Sequence, residues 1–161
     1  LNEMPVENVS WDSAVGFCEL LGLRYPEYVF SLPTEAEWEF SAKHNFIDTR
    51  NFTYPWGETV DIYHANYANS NTGATPVGTY PYPCFSGQYD LAGNVMEWVY
   101  SSYDEFFDPN LPNQIESEWK VIRGGAYWHN PEDIETTARS FLPRDTESDG
   151  LGFRVAMKRR Q

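Results

Sequence analysis

The chain has 161 residues, 41% of them hydrophobic and 17% aromatic, with a formal net charge of −13 and a pI near 4.5. That length suits one domain whose core is large enough to fold without a disulfide or metal staple. The acidic balance repels phosphate backbones and anionic membrane faces, which sets nucleic acid aside as a partner, and no stretch approaches the ~20 apolar residues of a membrane span.

The first residues, Leu1-Asn2-Glu3-Met4-Pro5, lack an initiator methionine and lead straight into patterned sequence, so the chain is expected to be a fragment of a longer protein. A helix is predicted from about Trp11 to Leu21. Ser10 is its N-cap and Asp12 suits the positive end of the helix dipole. Trp11, Ala14, Val15, Cys18 and Leu21 recur at helical spacing on one face, and Gly22 is placed to end the helix. A second helix starts at Thr34, where Thr34-Glu35-Ala36-Glu37 reads as a capping box behind Pro33. Trp38 and Ala42 share a face four residues apart, and the helix ends between Lys43 and Asn45.

From 46 to 90 the helical period disappears. Pro55-Trp56-Gly57, the stretch 69–73 and Pro81-Tyr82-Pro83 are turn chemistry. Short strands are predicted over Val95–Val99, Lys120–Arg123 and Gly152–Met157, with an acidic, proline-containing loop over 104–113. Lys158-Arg159-Arg160, the only basic run, reads as a solvated tail. Two helices with short strands and long loops give an α+β domain. Two cysteines, Cys18 and Cys84, are too few for a disulfide scaffold. Cys18 belongs to the apolar helix face, and Cys84 lies in a proline-rich loop where it is either reactive or inert.

Ordered motifs run through the chain: Pro5-Val6-Glu7-Asn8-Val9-Ser10-Trp11, Leu32-Pro33-Thr34-Glu35-Ala36-Glu37-Trp38-Glu39, Tyr54-Pro55-Trp56-Gly57, Pro76-Val77-Gly78, Tyr89-Asp90-Leu91-Ala92-Gly93-Asn94-Val95-Met96-Glu97-Trp98, Arg123-Gly124-Gly125 and Gly152-Phe153-Arg154-Val155-Ala156. In order and spacing they resemble the formylglycine-generating-enzyme-like, or sulfatase-modifying-factor, domain family. The resemblance implies a loop-rich variant of the C-type-lectin fold. It also implies that residues 1–161 are a single domain of this kind from which the family's N-terminal part is missing.

The family's enzyme oxidises a substrate cysteine to formylglycine with two cysteines that follow the Gly-Gly pair and hold copper, a soft ion that thiolates suit. Here His129 stands at the first of those positions and the second falls near Ile134, with no cysteine between Phe85 and Gln161. The sequence therefore argues against formylglycine synthesis and copper is not expected. An iron site of the sulfoxide-synthase type needs several histidines, whereas His44, His64 and His129 are widely spaced.

The resemblance also implies a structural Ca²⁺ held by Asn94, Glu97 and the backbone of Gly93 and Val95; the alternative is that Asn94 and Glu97 only tie loops together. A second family calcium site would use Asn66 and the backbone of Tyr67, but the loop from Ala68 to Ala74 has no carboxylate. Arg123, Arg139 and Arg154 are expected to bridge buried carboxylates such as Glu37 or Glu39. The stretch 123–154 corresponds to a ligand-presenting face in relatives diversified by retroelements. Trp128, His129, Asn130, Glu132, Phe141 and Arg144 are placed on it as contacts for a protein or small ligand, with Trp128 and Phe141 alternatively in the core.

The expected function is a non-catalytic binding or regulatory module of a larger bacterial protein. The C-terminal appendage of a Ser/Thr kinase is one such parent, and a cytoplasmic one, since neither an export signal nor a disulfide set is evident. The alternatives are a metal-dependent oxidoreductase completed by residues outside the chain and a retroelement-diversified ligand receptor.

Overall fold

A computed structural model describes residues 3–45, 50–103 and 118–161. Helix α1 spans Trp11–Arg24, and the N–H of Ser13 donates to the Ser10 hydroxyl at 3.2 Å. It buries Trp11, Ala14 and Cys18 but does not stop at Gly22. The helix continues for two residues, and the N–H of Tyr25 donates to the carbonyl of Leu21. A glycine tolerates the helical conformation at modest cost, and the next few residues supply the stop.

Strand β1 (Tyr28–Ser31) follows, then α2 (Glu35–Lys43). The capping box is formed: the N–H of Glu37 donates to Thr34 Oγ1 at 3.2 Å and the N–H of Thr34 donates to Glu37 Oε2 at 2.8 Å. Trp38 and Ala42 are its buried residues.

Residues 50–95 form turns with only isolated bridges, His44–Asn51 and Tyr54–Gly57. They are held by a separate core of Tyr54, Ala65, Tyr67, Ala92 and Ile134. The main sheet has the order β4-β3-β2-β5: β2 is Met96–Ser102, β3 Trp119–Arg123, β4 Arg139–Pro143 and β5 Leu151–Phe153. A single 3₁₀ turn, Pro131–Ile134, lies between β3 and β4. Strands β3 and β4 run antiparallel to their neighbours, while β2 and β5 are parallel. Two cores flank this sheet: Trp11, Cys18, Leu32, Trp98 and Leu151 in one, Trp38, Cys84, Leu91, Val99 and Val121 in the other. Alternate residues of β2 thus supply opposite faces, as a strand's period of two requires.

The predicted strand over Gly152–Met157 is two strands. Arg154 and Val155 break it, and β6 (Ala156–Arg159) leaves the main sheet to pair antiparallel with β1. Lys158 and Arg159 are therefore strand residues rather than a loose tail: Lys158 opposes Val29, Arg159 opposes Tyr28, and the N–H of Arg160 donates to the carbonyl of Glu27. The basic side chains remain exposed, but the backbone is committed. Strands β1 and β4 carry little alternation in burial, so their sequences gave no period-two signal. The predicted loop over 104–113 lies outside the described residues. No helix among the described residues is long and apolar enough to cross a membrane.

Candidate functional site

The end of β3 builds the floor of a cavity of about 230 Å³. Gly124 and Gly125 follow Arg123 with φ of +85° and +67°, conformations that favour glycine. A Cβ on Gly125 would lie 2.7 Å from Ile134 Cγ2 and 2.9 Å from the carbonyl oxygen of Asp133, so the close approach of the 3₁₀ turn also demands glycine. The turn brings Asp133 to the rim, the loop before it brings His129, and β4 brings Arg139 and Ser140.

The Arg123 side chain is fully buried. Its Nη2 donates to Glu39 Oε2 at 2.8 Å and the Thr136 carbonyl at 2.7 Å; its Nη1 donates to Glu35 Oε1 and the Thr137 carbonyl, both at 3.3 Å. Burial lowers its pKa despite the facing Glu39 and Glu35. Arg123 Nε is buried and has no hydrogen-bond partner. Arg139 forms a two-pronged contact with Glu35, at 2.8 and 2.9 Å. Lys43 pairs with Glu39, whose pKa burial would raise but Lys43 and Arg123 together lower. The expectation that these arginines bridge carboxylates holds for Glu39. Glu37 is instead the reciprocal partner of Thr34 in the capping box, and Glu35 takes the bridging role.

At His129, Nδ1 accepts the backbone N–H of Ala126 at 2.8 Å. An accepting Nδ1 carries no proton, so in this arrangement the proton sits on Nε2, which is then a donor and not a free ligand for a metal. The other ligand-face residues diverge. Trp128 packs partly buried against the main core beneath Gly150. The N–H of Asn130 donates to Asp133 Oδ2 at 3.1 Å, fixing the 3₁₀ turn, and Glu132 is exposed. Phe141 stacks on Tyr103 at 3.8 Å and meets Trp119 edge-on. Arg144 pairs with Asp12 of α1 and lies over the Trp11 ring. Of the six, His129 lines the cavity. Arg123, Asp133, Arg139 and Ser140 join it there, and the glycine pair closing a strand was the sequence signal for the position.

Asn94 (φ +65°) is 2% exposed, and its side chain ties β2 to the loop before it. Its Oδ1 accepts the N–H of Thr75 at 2.8 Å and an Asn66 amide proton at 3.3 Å, and its Nδ2 donates to the Thr75 carbonyl at 3.1 Å. Glu97, three residues on, lies in a different network. Trp38 Nε1 donates to its Oε2 at 2.7 Å, and Arg154 holds both oxygens at 2.5 Å. Gly93 donates its N–H to Gly124, and the Asn94 carbonyl accepts from Tyr127. As placed, the set Gly93, Asn94, Val95 and Glu97 does not fit a calcium cage, because the side-chain oxygens of Asn94 and Glu97 are spent on protein donors in separate places. Asn66 is likewise engaged: its Oδ1 accepts from Ser70 and Asn71 and its Nδ2 donates to the Gly73 carbonyl.

With this geometry in place, the sulfatase-modifying factor enzyme 1-like domain matches residues 1–159. The chain belongs to that family. The formylglycine-generating enzyme of Mus musculus is 34% identical over 175 residues, covering 94% of this chain and 44% of its own length. The "inactive C-alpha-formylglycine-generating enzyme 2" of Bos taurus is 32% identical, covering 96% and 50%. The serine/threonine-protein kinase pkn1 of Chlamydia pneumoniae is 34% identical, covering 94% of this chain and 24% of the kinase. The chain thus spans half or less of the curated relatives described here. Among solved structures, PvdO from Pseudomonas aeruginosa (TM-score 0.79, 24% identity, 98% of this chain and 63% of that one) shares the fold. So does Treponema denticola variable protein 1 (0.80, 24%, 98% and 72%).

His129, where the resemblance puts the first of the two thiol positions, is bound to the backbone, and Ile134, near the second, is 0% exposed and fills a core. Cys18 and Cys84 are free, 2% and 3% exposed, and sit in different cores. Burial pushes the Cys18 thiol up, away from the thiolate that nucleophilic or metal chemistry needs. Cys84 is settled by its neighbours Ser86 and Gln88 at 3.0 Å.

Asp90, beside Arg154 and Glu97, accepts the N–H of Gly78 at 2.7 Å. Burial raises its pKa, and Gly78 and Arg154 only partly oppose that. Between the unfolded and the folded pKa the folded state keeps a proton that the unfolded chain has released. Its contribution is therefore complete below the unfolded pKa and is lost as pH rises through the folded one. Asp90→Asn keeps an acceptor for Gly78 and suits the positive φ of +58°. It is expected to stabilise the domain at pH 7 by a few tenths to about 1 kcal/mol, after solvent screening. The gain should vanish in urea titrations near pH 3.5; a gain independent of pH would remove burial of the charge as its cause.

Proposed function

We propose that this chain is a non-catalytic member of its family that serves as a binding or regulatory module of a larger protein. The observation that carries this is that no thiol follows Gly125 and both cysteines are buried elsewhere, while His129, where the resemblance puts the first copper thiol, is bound to the backbone and Ile134, near the second, fills a core. A dithiol Cu(I) centre needs two converging sulfurs, and no pair of thiols in the chain converges. The similarity to a relative named inactive, and to part of a chlamydial kinase, supports the reading of a domain that binds rather than transforms. An appendage of a bacterial Ser/Thr kinase is the parent we favour. The face from 123 to 154 is its recognition surface. Trp128, His129, Asn130, Glu132, Phe141 and Arg144 contribute contacts around the rim and Arg123, Asp133 and Arg139 line the cavity within it.

Incubation of the purified chain with Cu(I) and a cysteine-containing peptide tests this. The expected result is no stoichiometric copper by elemental mass spectrometry after dialysis, and no mass change in the peptide. Copper near one equivalent with conversion of the peptide cysteine would overturn the proposal.

A further inference from the structure

Strand β4 ends the main sheet. The order is β4-β3-β2-β5, and among the described residues β4 pairs with β3 alone. In an antiparallel ladder, residues that bond to the partner strand alternate with residues whose N–H and C=O point away from it. The N–H of Arg144 donates to the carbonyl of Glu118 at 2.9 Å, and Leu142 opposite Lys120 and Ser140 opposite Ile122 lie in step with that pair. Arg139 and Phe141 therefore turn their N–H and C=O outward, and no described residue bonds to those groups. An edge of this kind is a template for another strand unless proline, charge or a bulge blunts it. Pro143 stands only at the end of β4, the register with β3 is unbroken, and the Arg139 side chain is drawn aside to Glu35 and over the Tyr103 ring.

Side chains beside the edge set alternating demands, because successive strand residues project to opposite faces. On one face Phe141, 38% exposed, stacks on Tyr103 and meets Trp119 edge-on, which gives an aromatic shelf. On the other face Ser140 lines the cavity together with His129 and Asp133. Charge then selects the partner. Glu132, Asp133 and Glu135 precede β4, and Asp145 and Glu147 follow it. The two cations of this stretch are spent, Arg139 on Glu35 and Arg144 on Asp12. An acidic surround on a chain of net charge −13 attracts lysine and arginine and repels acidic segments.

We propose that the outer edge of β4 takes up an extended segment of a partner protein, with apolar and basic residues in alternation, as an antiparallel fifth strand of the main sheet. The residue opposite Phe141 exchanges both backbone hydrogen bonds with it and lays an apolar side chain on the aromatic shelf. Its basic neighbours project to the face that holds Asp133. This deepens the reading of 123–154 as a recognition surface and rests on it. The non-catalytic assignment is decided separately, by copper and peptide oxidation.

Hydrogen exchange at the Phe141 amide, followed by NMR on a ¹⁵N-labelled chain, is the direct readout. In the free chain this amide should exchange fast, as a solvated edge group does. A capped peptide of alternating valine and lysine is expected to bind with a Kd on the order of 100 μM and to slow that exchange at least tenfold. N-methylation of its valine amides, which would face β4, should abolish binding, whereas N-methylation of its lysine amides, which would face away, should leave it. Glutamate in place of lysine should raise the Kd at least tenfold, and raising salt from about 50 to about 500 mM should weaken the lysine peptide several-fold. Phe141→Pro removes the outward N–H where an edge strand tolerates proline, and should lose the peptide while the amide spectrum stays dispersed. Phe141→Leu keeps the N–H and should weaken binding no more than about threefold.

The inference is overturned if the Phe141 amide is already slow in the free chain, if valine methylation or glutamate leaves binding intact, or if Phe141→Pro binds unchanged. Peptide binding that shifts resonances within 123–154 without protecting Phe141 would keep the recognition surface and remove strand addition. Concentration-dependent association of the chain alone, abolished by Phe141→Pro, would place a second copy on the edge and overturn the inference as well.

Discussion

Glu97→Gln is expected to lower the unfolding free energy by about 3–5 kcal/mol, the range seen when one partner of a buried ion pair is removed. Glu97 is 4% exposed, and both of its oxygens are committed to Arg154 while one also receives the Trp38 indole N–H. The amide keeps the volume but loses the charge and presents an NH₂ to a guanidinium. Arg154 is then left partly buried without its counter-charge; burial would lower the Arg154 pKa, and Glu97 is the main reason it is raised instead. Arg154 also donates to the carbonyls of Tyr89 and Asp90, so losing the pair loosens the turn that precedes β2. Urea denaturation followed by tryptophan fluorescence measures the change. Repeating the parent titration with EDTA separates the two roles of this segment. The hydrogen-bonded arrangement predicts an unchanged midpoint, and a fall comparable to that of Glu97→Gln would place a divalent cation at Glu97 instead. A loss below about 1 kcal/mol in the variant would show the pair to be solvent-screened.

Gly93→Ala is expected to cost roughly 2–4 kcal/mol, combining a positive φ with overpacking against backbone that has nowhere to move. Gly93 has φ +73°, and a Cβ there would sit well inside contact distance of the Asn66 carbonyl. That carbonyl already accepts the N–H of Asn94, while the N–H of Gly93 reaches Gly124. Three segments, around 66, 93 and 124, therefore cross at one point with no room for a methyl group. Gly73→Ala is the control, since nothing lies within 4 Å of its added Cβ and its φ is not in the strained region. It should cost under about 0.5 kcal/mol. Equal effects of the two substitutions would show that the crossing has slack.

The loop carrying His129 and the 3₁₀ turn hang on the same crossing. Tyr127 donates to the Asn94 carbonyl, Ala68 donates to the carbonyl of His129, and Asn69 to that of Tyr127. A loosened crossing thus reaches the cavity floor, and Gly93→Ala should weaken any ligand held there even though residue 93 does not line it.

Local chemistry was readable directly. Ser10 and Thr34 cap their helices because a side-chain oxygen satisfies an orphan N–H within three residues, and that relation is written in the spacing. The apolar spacing of Trp11, Ala14 and Cys18, and of Trp38 and Ala42, likewise marked the buried faces. Motif order marked the family, and the sequence showed that no thiol follows Gly125. What tertiary structure alone decided was pairing across long separations. Gly152–Met157 has no local reason to split between two sheets; β6 does so because β1, more than a hundred residues earlier, offers an edge. Asn94 and Glu97 lie three apart in sequence, yet one faces Thr75 and Asn66 and the other Trp38 and Arg154, because Asn94 sits at φ +65° in the turn before β2 while Glu97 lies within the strand. The unpartnered Arg123 Nε also needed the fold, since whether a donor is satisfied depends on every atom packed around it, and sequence names the donor but not the neighbours.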